Sequence, residues 1–429
     1  MGDLDPATTR VRAAVHAVAR TYVPQLTRPV WILQAGGLVN ALGTGLVLPF
    51  VLIYLHEVIR MPLELAGVAV GGFGLASLVA TPFAGRLVDS LGARTVLRAS
   101  LLVLACGYGA LSFARTAPEA LGALALAGLG NGAFWPSQSA LVMGLTHTHR
   151  RAQASALGRT TYNVGLGAGG ALGGLILAGA SIVRYELLFG LDAATFVVLA
   201  LASLAVPELE STLSATTVRR HGYREVARDR VFLALIALNV FYVAGAFAPF
   251  ETALPLYSRE HLGLAPRVIG LVFLANMLTV GVLQLPAARA IEGHRRVRLL
   301  AGMTGIWALA FALIFGAGAL PAALTVGLLV LAAVVFGAGE CMLGPTQSPL
   351  IVELAPPALR GRYLALLTAS YALGFTLGPP LAAAELGLAP NAVWLVAASI
   401  CVLTGLAGLL LGRRLPASIR LAPRSTAQP

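Results

Sequence analysis

Apolar residues gather along this chain into twelve long runs, at 30–55, 64–84, 95–114, 120–143, 154–180, 188–206, 231–257, 266–287, 298–317, 321–345, 363–384 and 391–412. Each is about 20 residues or more, the length at which a helix crosses the hydrocarbon core of a bilayer. Backbone in lipid must satisfy its own hydrogen bonds, which leaves helices or a closed barrel. Barrel strands alternate apolar and polar positions, and these runs do not. The pattern predicts an all-α membrane protein.

The breaks between runs are uneven in charge. On one side they hold Arg86 and Arg94, Arg150 and Arg151, Arg219 to Arg230, Arg289, Arg295 and Arg296, Arg360 and Arg362, and Arg413 and Arg414. The other side holds Arg60, Arg115, Arg184, Arg259 and Arg267. The rule that arginine-rich loops stay inside predicts cytoplasmic termini in a bacterial inner membrane. The longest polar break, 207–230, reads as a linker between an N-terminal bundle at 30–206 and a C-terminal bundle at 231–412. Residues 1–29 read as a cytoplasmic, partly amphipathic lead-in helix, and 413–429 as a tail.

The two bundles repeat. Tyr54 answers to Tyr257, Gly67 to Gly270 and Asp89 to Glu292, at an offset of 203 residues. Further along the offset is 209: Pro136-Ser137-Gln138-Ser139 answers to Pro345-Thr346-Gln347-Ser348, Tyr162 to Tyr371, Gly165 to Gly374 and Gly169 to Gly378. One small insertion accounts for the change. Two six-helix halves of this kind place a site near the midplane, between them.

Composition agrees, with 58% hydrophobic and 11% charged residues against about 25% charged in a soluble domain. The net charge of +12 comes entirely from arginine, because the chain contains no lysine. That removes the lysine of a nucleotide-binding loop. The arginines sit in membrane-flanking loops, which argues against a nucleic-acid partner. Cys106, Cys341 and Cys401 fall singly in apolar runs, without metal spacing or a disulfide framework. No catalytic set, metal site or cofactor motif is found, so the chain does not read as an enzyme.

After the second run comes Gly85-Arg86-Leu87-Val88-Asp89-Ser90-Leu91-Gly92-Ala93-Arg94, with a degraded copy around Glu292 after the eighth. The fifth run carries Asn163-Val164-Gly165-Leu166-Gly167-Ala168-Gly169-Gly170-Ala171-Leu172-Gly173-Gly174. The first resembles the loop motif of the major facilitator superfamily, and the second its glycine-rich exporter motif, with Gly170 where that motif has proline. The matching place in the second half is Gly378-Pro379. The resemblance implies two pseudo-symmetric six-helix bundles and a cytoplasmic gate at Gly85, Asp89, Gly92, Arg94 and Glu292. Arg94, Arg98 and Arg159 are the possible partners of Asp89. Gly165, Gly169, Gly173, Gly378 and Pro379 read as helix packing, since small residues four apart let helices approach in lipid. The fourth-run arginine of many proton-linked relatives is missing; Leu124 and Leu126 stand there.

Ionisable groups inside a membrane are costly and mark function. Glu340 lies within the tenth run, opposite Asn131 in the repeat, and Glu251 lies within the seventh. Glu340 reads as a proton-coupling or cation-binding group, or else as a protonated acid bonding a neighbouring helix. Glu251 reads as a second such group or as a cheap charge at a mouth. Asp192 is expected to cap the sixth helix, and Glu353 to be solvated. Asn40 and Thr44, four apart on one helix face, and Asn239 line a cavity or bridge helices. Phe134, Trp135, Tyr162, Phe241, Tyr242 and Tyr371 are candidates for an aromatic wall. The resemblance and these acids together imply a monomeric secondary transporter driven by protons. Its expected cargo is a small, fairly apolar or cationic molecule, exported. An importer or facilitator of a neutral metabolite is the alternative, and a non-transporting receptor a remote one.

Overall fold

The computed structural model describes residues 26–147, 150–179, 181–208, 223–356, 359–416 and 420–421. The expected lead-in helix and most of the linker lie outside them. Among the described residues the chain forms twelve long helices, and the one bridge outside them joins Arg295 to Leu421. The helices are α1 (Arg28–Val58), α2 (Leu63–Leu91), α3 (Ala93–Phe113), α4 (Ala117–Gly144), α5 (Arg151–Ile176) and α6 (Ile182–Ala205) in one half. In the other they are α7 (Arg230–Glu260), α8 (Pro266–Ala290), α9 (Arg296–Ala317), α10 (Ala322–Leu354), α11 (Arg360–Leu388) and α12 (Ala392–Leu411). Ten are long and apolar enough to cross a membrane. The other two, α4 and α5, have the length but are diluted with glycine, asparagine and hydroxyl residues.

Local chemistry sets several helix ends. Thr116 and Glu119 form a reciprocal capping box at the start of α4, with Pro118 in the first turn. Asp229 caps α7 by accepting from the Phe232 amide at 2.9 Å, and also accepts from the Tyr363 hydroxyl at 2.9 Å. Gly92 ends α2 at φ 85°, a left-handed value that favours glycine.

The repeat is visible in the backbone. Both helices widen: α1 over Tyr54–Val58, beyond a tight turn at Leu48–Phe50, and α7 over Val243–Phe247 and Pro249–Ala253. The Ile59 amide bonds the Tyr54 carbonyl at 3.0 Å, and the Leu262 amide bonds the Tyr257 carbonyl at 3.2 Å. These are the same bond at the 203-residue offset. The ring of Tyr54 lies 5.4 Å from that of Tyr185, and Tyr257 lies 5.1 Å from Trp394.

Glycines decide where helices meet. On α5, Gly165 and Gly169 face α1, where an added Cβ would come within 2.8 Å of the Leu38 carbonyl and of the Gly45 Cα. Gly173 abuts Leu46 and Phe50 on the same helix. On α11, Gly378 packs on Ala244 and Ala248 of α7, the equivalent seam of the other half. A second glycine face of α5 turns to α8: Gly170 meets Phe273, and Gly174 meets the backbone of Pro266 and Arg267. So α5 is pinned on one side within its half and on the other across the halves. A Gly169→Leu substitution is expected to wedge α1 from α5 at an overpacking cost of about 1–3 kcal/mol or more. A lowered thermal midpoint of the detergent-purified protein, against an unchanged midpoint for Gly302→Ala in open space, checks this.

Candidate functional site

The halves do not diverge evenly. Near the face opposite the termini, Gly67, Gly71 and Gly74 of α2 lie on the backbone of α11 at Pro379, Thr376 and Phe375. Two turns further along the same antiparallel pair, Thr81 and Thr368 stand as opposing walls of a cavity. An added Cβ at Gly85 would meet nothing within 4 Å. The halves are thus closed at one face and parted toward the termini.

The cavity between them has a volume of about 420 Å³. Its N-terminal wall is neutral: Asn40 and Thr44 from α1, Ser77 and Thr81 from α2, Asn131, Phe134 and Trp135 from α4, and Tyr162 from α5. The C-terminal wall carries both acids, Glu251 from α7 and Glu340 from α10, with Tyr371 and Phe375 from α11. Both acids face the one cavity, and the Arg159 guanidinium reaches α10 one turn from Glu340, at Gly344.

Each acid stands on a rigid base. The Phe250 ring stacks on Phe336 with centroids 4.1 Å apart, one turn below Glu340. Trp307 stacks on Phe336 at 5.3 Å, and its indole N–H donates to the Phe336 carbonyl at 3.0 Å. The wide turn at Pro249–Ala253 carries Glu251. On the facing wall the Asn131 amide donates to the Ser77 hydroxyl at 3.1 Å, and Trp135 sits edge-on to Phe134 and Tyr162, each 5.1 Å away.

Five expectations are corrected. Of the two readings of Asn239, cavity lining is corrected and helix bridging holds: it is fully buried, donating to the Ser370 hydroxyl of α11 at 2.7 Å and accepting from the Gln347 amide of α10 at 2.8 Å. Tyr242 packs near Trp307 with centroids 6.3 Å apart, and Phe241 is exposed on the outside of α7. Asp192 caps nothing, because α6 begins at Ile182 and carries it mid-helix, fully buried. Glu353 is not merely solvated, since it accepts at 2.6 Å from the buried guanidinium of Arg296.

The fifth concerns the loop motif. Arg94 is engaged within its own half rather than by Asp89: its Nε donates to the Glu208 carboxylate at 2.9 Å and its Nη1 to the Val206 carbonyl at 2.7 Å. An added Cβ at Gly92 would reach Glu208 at 2.5 Å, so this glycine supplies both the turn and the room for that pair. Asp89 is exposed and Glu292 half-buried ahead of Gly293. Arg159 reaches across the halves, its guanidinium lying against Gly344 of α10.

Sequence pairing stopped short of one feature. At the closed face, His56 Nε2 lies 3.4 Å from Glu260 Oε1, and Arg259 Nε lies 3.4 Å from Glu57 Oε1. His56 and Arg259 are repeat equivalents, as are Glu57 and Glu260, at the offset that relates Tyr54 to Tyr257. The two pairs therefore form a reciprocal clasp about the pseudo-two-fold axis. His56 Nδ1 also lies 2.7 Å from the Met61 carbonyl. Both ring nitrogens face oxygen atoms.

The model of the Major Facilitator Superfamily matches residues 34–266 and 250–428. An uncharacterized MFS-type transporter, YhjO of Bacillus subtilis (strain 168), is 27% identical over 397 residues, 92% of this chain and 94% of that one. The multidrug resistance protein MdtH of Aeromonas hydrophila is 27% identical over 351 residues, covering 80% and 84%. Among solved structures, a peptide transporter POT in complex with sulfate superposes with a TM-score of 0.74 at 16% identity, over 95% of this chain and 99% of that chain. A D-xylose-proton symporter does so at 0.72 and 17%, over 90% and 97%. With its twelve helices, two related halves and central cavity, the chain is a multi-pass membrane transporter that belongs to the Major Facilitator Superfamily.

Proposed function

We propose that this chain is a proton-coupled exporter of small, fairly apolar or cationic molecules, working as a monomer by alternating access in a bacterial inner membrane with both termini in the cytoplasm. The observation that carries the reading is the pair Glu251 and Glu340 on one wall of a cavity whose other wall is aromatic and neutral. An aromatic face and a carboxylate together suit an organic cation. The same acids suit a proton, and the two ligands then compete for one charge. Among the described residues no arginine lines the cavity and Arg159 reaches only its edge at Gly344, which disfavours phosphorylated or dicarboxylate cargo. The arginine-rich face is the one toward which the halves part, so this is the state in which an exporter loads. The MdtH relatives, named as multidrug resistance proteins, support this direction.

Import of a neutral metabolite is the second reading, and Gly170 in place of the exporter motif's proline is what favours it. Energised inverted vesicles separate the two. Tetraphenylphosphonium and a neutral dye are offered with and without an uncoupler. Uncoupler-sensitive accumulation is the expected result. Counterflow without energised accumulation would transfer the assignment to a facilitator.

A further inference from the structure

The N-terminal half holds an acid that the cavity chemistry above does not use. Asp192 lies at the middle of α6 and is completely buried, and its Oδ2 makes no hydrogen bond. It is packed against α1 at Gly43, where an added Cβ would stand 2.8 Å from Asp192 Oδ1. Thr195, one turn along α6, donates its hydroxyl to the Asp192 backbone carbonyl at 2.7 Å and stands 3.5 Å from Oδ1, and the Thr44 hydroxyl of α1 faces the same carboxyl. Asn40 lies one turn from Thr44 on that face of α1, buried and with its Nδ2 also without a partner. Asn40 and Thr44 both line the cavity. So do Tyr108 of α3 and Tyr162 of α5. The acid is therefore one side chain behind the cavity wall.

We propose that Asp192, with Thr44 and Thr195, is a second proton-binding site, separate from Glu251 and Glu340 and lodged in the seam between α1 and α6. Among the described residues the groups that face it are two hydroxyls and, further off toward the cavity, two phenols, and none is a cation. Such surroundings accommodate a neutral carboxylic acid, whereas an unpaired carboxylate there would carry a large desolvation penalty. In the repeat, Asp192 corresponds to Cys401 and Thr44 to Phe247. The C-terminal half therefore cannot reproduce this site, just as the N-terminal half offers Asn131 in place of Glu340. Each half then carries its own ionisable centre.

Release follows the wall. When the Asp192 O–H bond breaks, the proton passes by the Thr44 hydroxyl to the cavity, and Thr44 donates to the carboxylate left behind, with the Thr195 hydroxyl turning to it from the Asp192 carbonyl. A cation seated in the cavity would favour that release without touching Asp192. This last role rests on the proton-coupled reading of the cavity, whereas the site itself does not.

Infrared difference spectroscopy of the purified full-length protein tests the site without any cargo. A pH step should produce a protonated-carboxyl C=O band that persists in the Glu251→Gln/Glu340→Gln double variant and disappears in Asp192→Asn. Thr44→Val should shift that band by removing its hydrogen-bond partner, and this arm carries the test if Asp192→Asn fails to fold. A band unchanged by Asp192→Asn, or one that Thr44→Val leaves in place, would overturn the proposal. A band that vanishes on adding sodium at constant pH would do so too, by making the seam a sodium site. If the band behaves as expected while vesicles show no uncoupler-sensitive transport, the site stands and the exporter reading fails.

Discussion

Glu340→Gln is expected to abolish uphill accumulation of tetraphenylphosphonium in energised inverted vesicles while leaving counterflow exchange intact. The substitution keeps the shape and removes the proton that Glu340 carries. Glu340 faces the cavity from a helix fixed by Gly337 against Asn276 and by Gly339 against Trp307, so the amide should sit where the carboxyl did. Without the Glu340 proton the loaded and empty states no longer differ at that carboxyl, and the gradient loses its hold on the step that Glu340 couples. Cargo then equilibrates instead of concentrating. A cationic probe should also bind more weakly, because Glu251 alone remains as counter-charge; a neutral dye should not. If uphill accumulation survives in Glu340→Gln and fails in Glu251→Gln, coupling belongs to the seventh helix. If it survives in both, the coupling assignment to this pair is wrong.

The acids of the C-terminal wall were readable because a carboxylate in an apolar run stands out whatever surrounds it. Asp192 was misread for the opposite reason. Arg184 and Glu186 sit at the start of α6 and made the apolar run look as if it opened near residue 188. In the fold both are accommodated: Arg184 donates to the Ile176 carbonyl at 2.6 Å, and Arg115 donates to Glu186. The helix therefore starts at Ile182, and Asp192 shifts from the rim to the interior. Hydropathy locates the apolar middle of a span but not its wet ends, where long polar side chains reach the interface or pair with each other. Asn239 shows a second limit. Sequence gives the residue and its helix but not the rotation of that helix, and the Gln347 and Ser370 partners lie over a hundred residues away. The internal repeat carried the most information. It predicted two equivalent halves, and the matched Tyr54 and Tyr257 turns occur in both.

Weakening the clasp at the closed face is expected to shift the resting population toward opening at that face. His56 with Glu260 and Arg259 with Glu57 cross between the halves on α1 and α7, the helices that also loosen into wide turns there. All four side chains are about a third exposed, so each pair is in the range of about 0.2–1 kcal/mol measured for solvent-accessible ion pairs. Two pairs give roughly 0.4–2 kcal/mol, a shift of about 2- to 30-fold in a two-state equilibrium. Doubly spin-labelled protein, read as a distance distribution across the closed face, should show the longer separation enriched by that factor in Glu57→Gln/Glu260→Gln.

The charge swap Glu57→Arg/Arg259→Glu should restore the short distance, whereas either single reversal should lengthen it further. Unchanged distances in the double glutamine variant would leave the face sealed by the glycine contacts of α2 on α11.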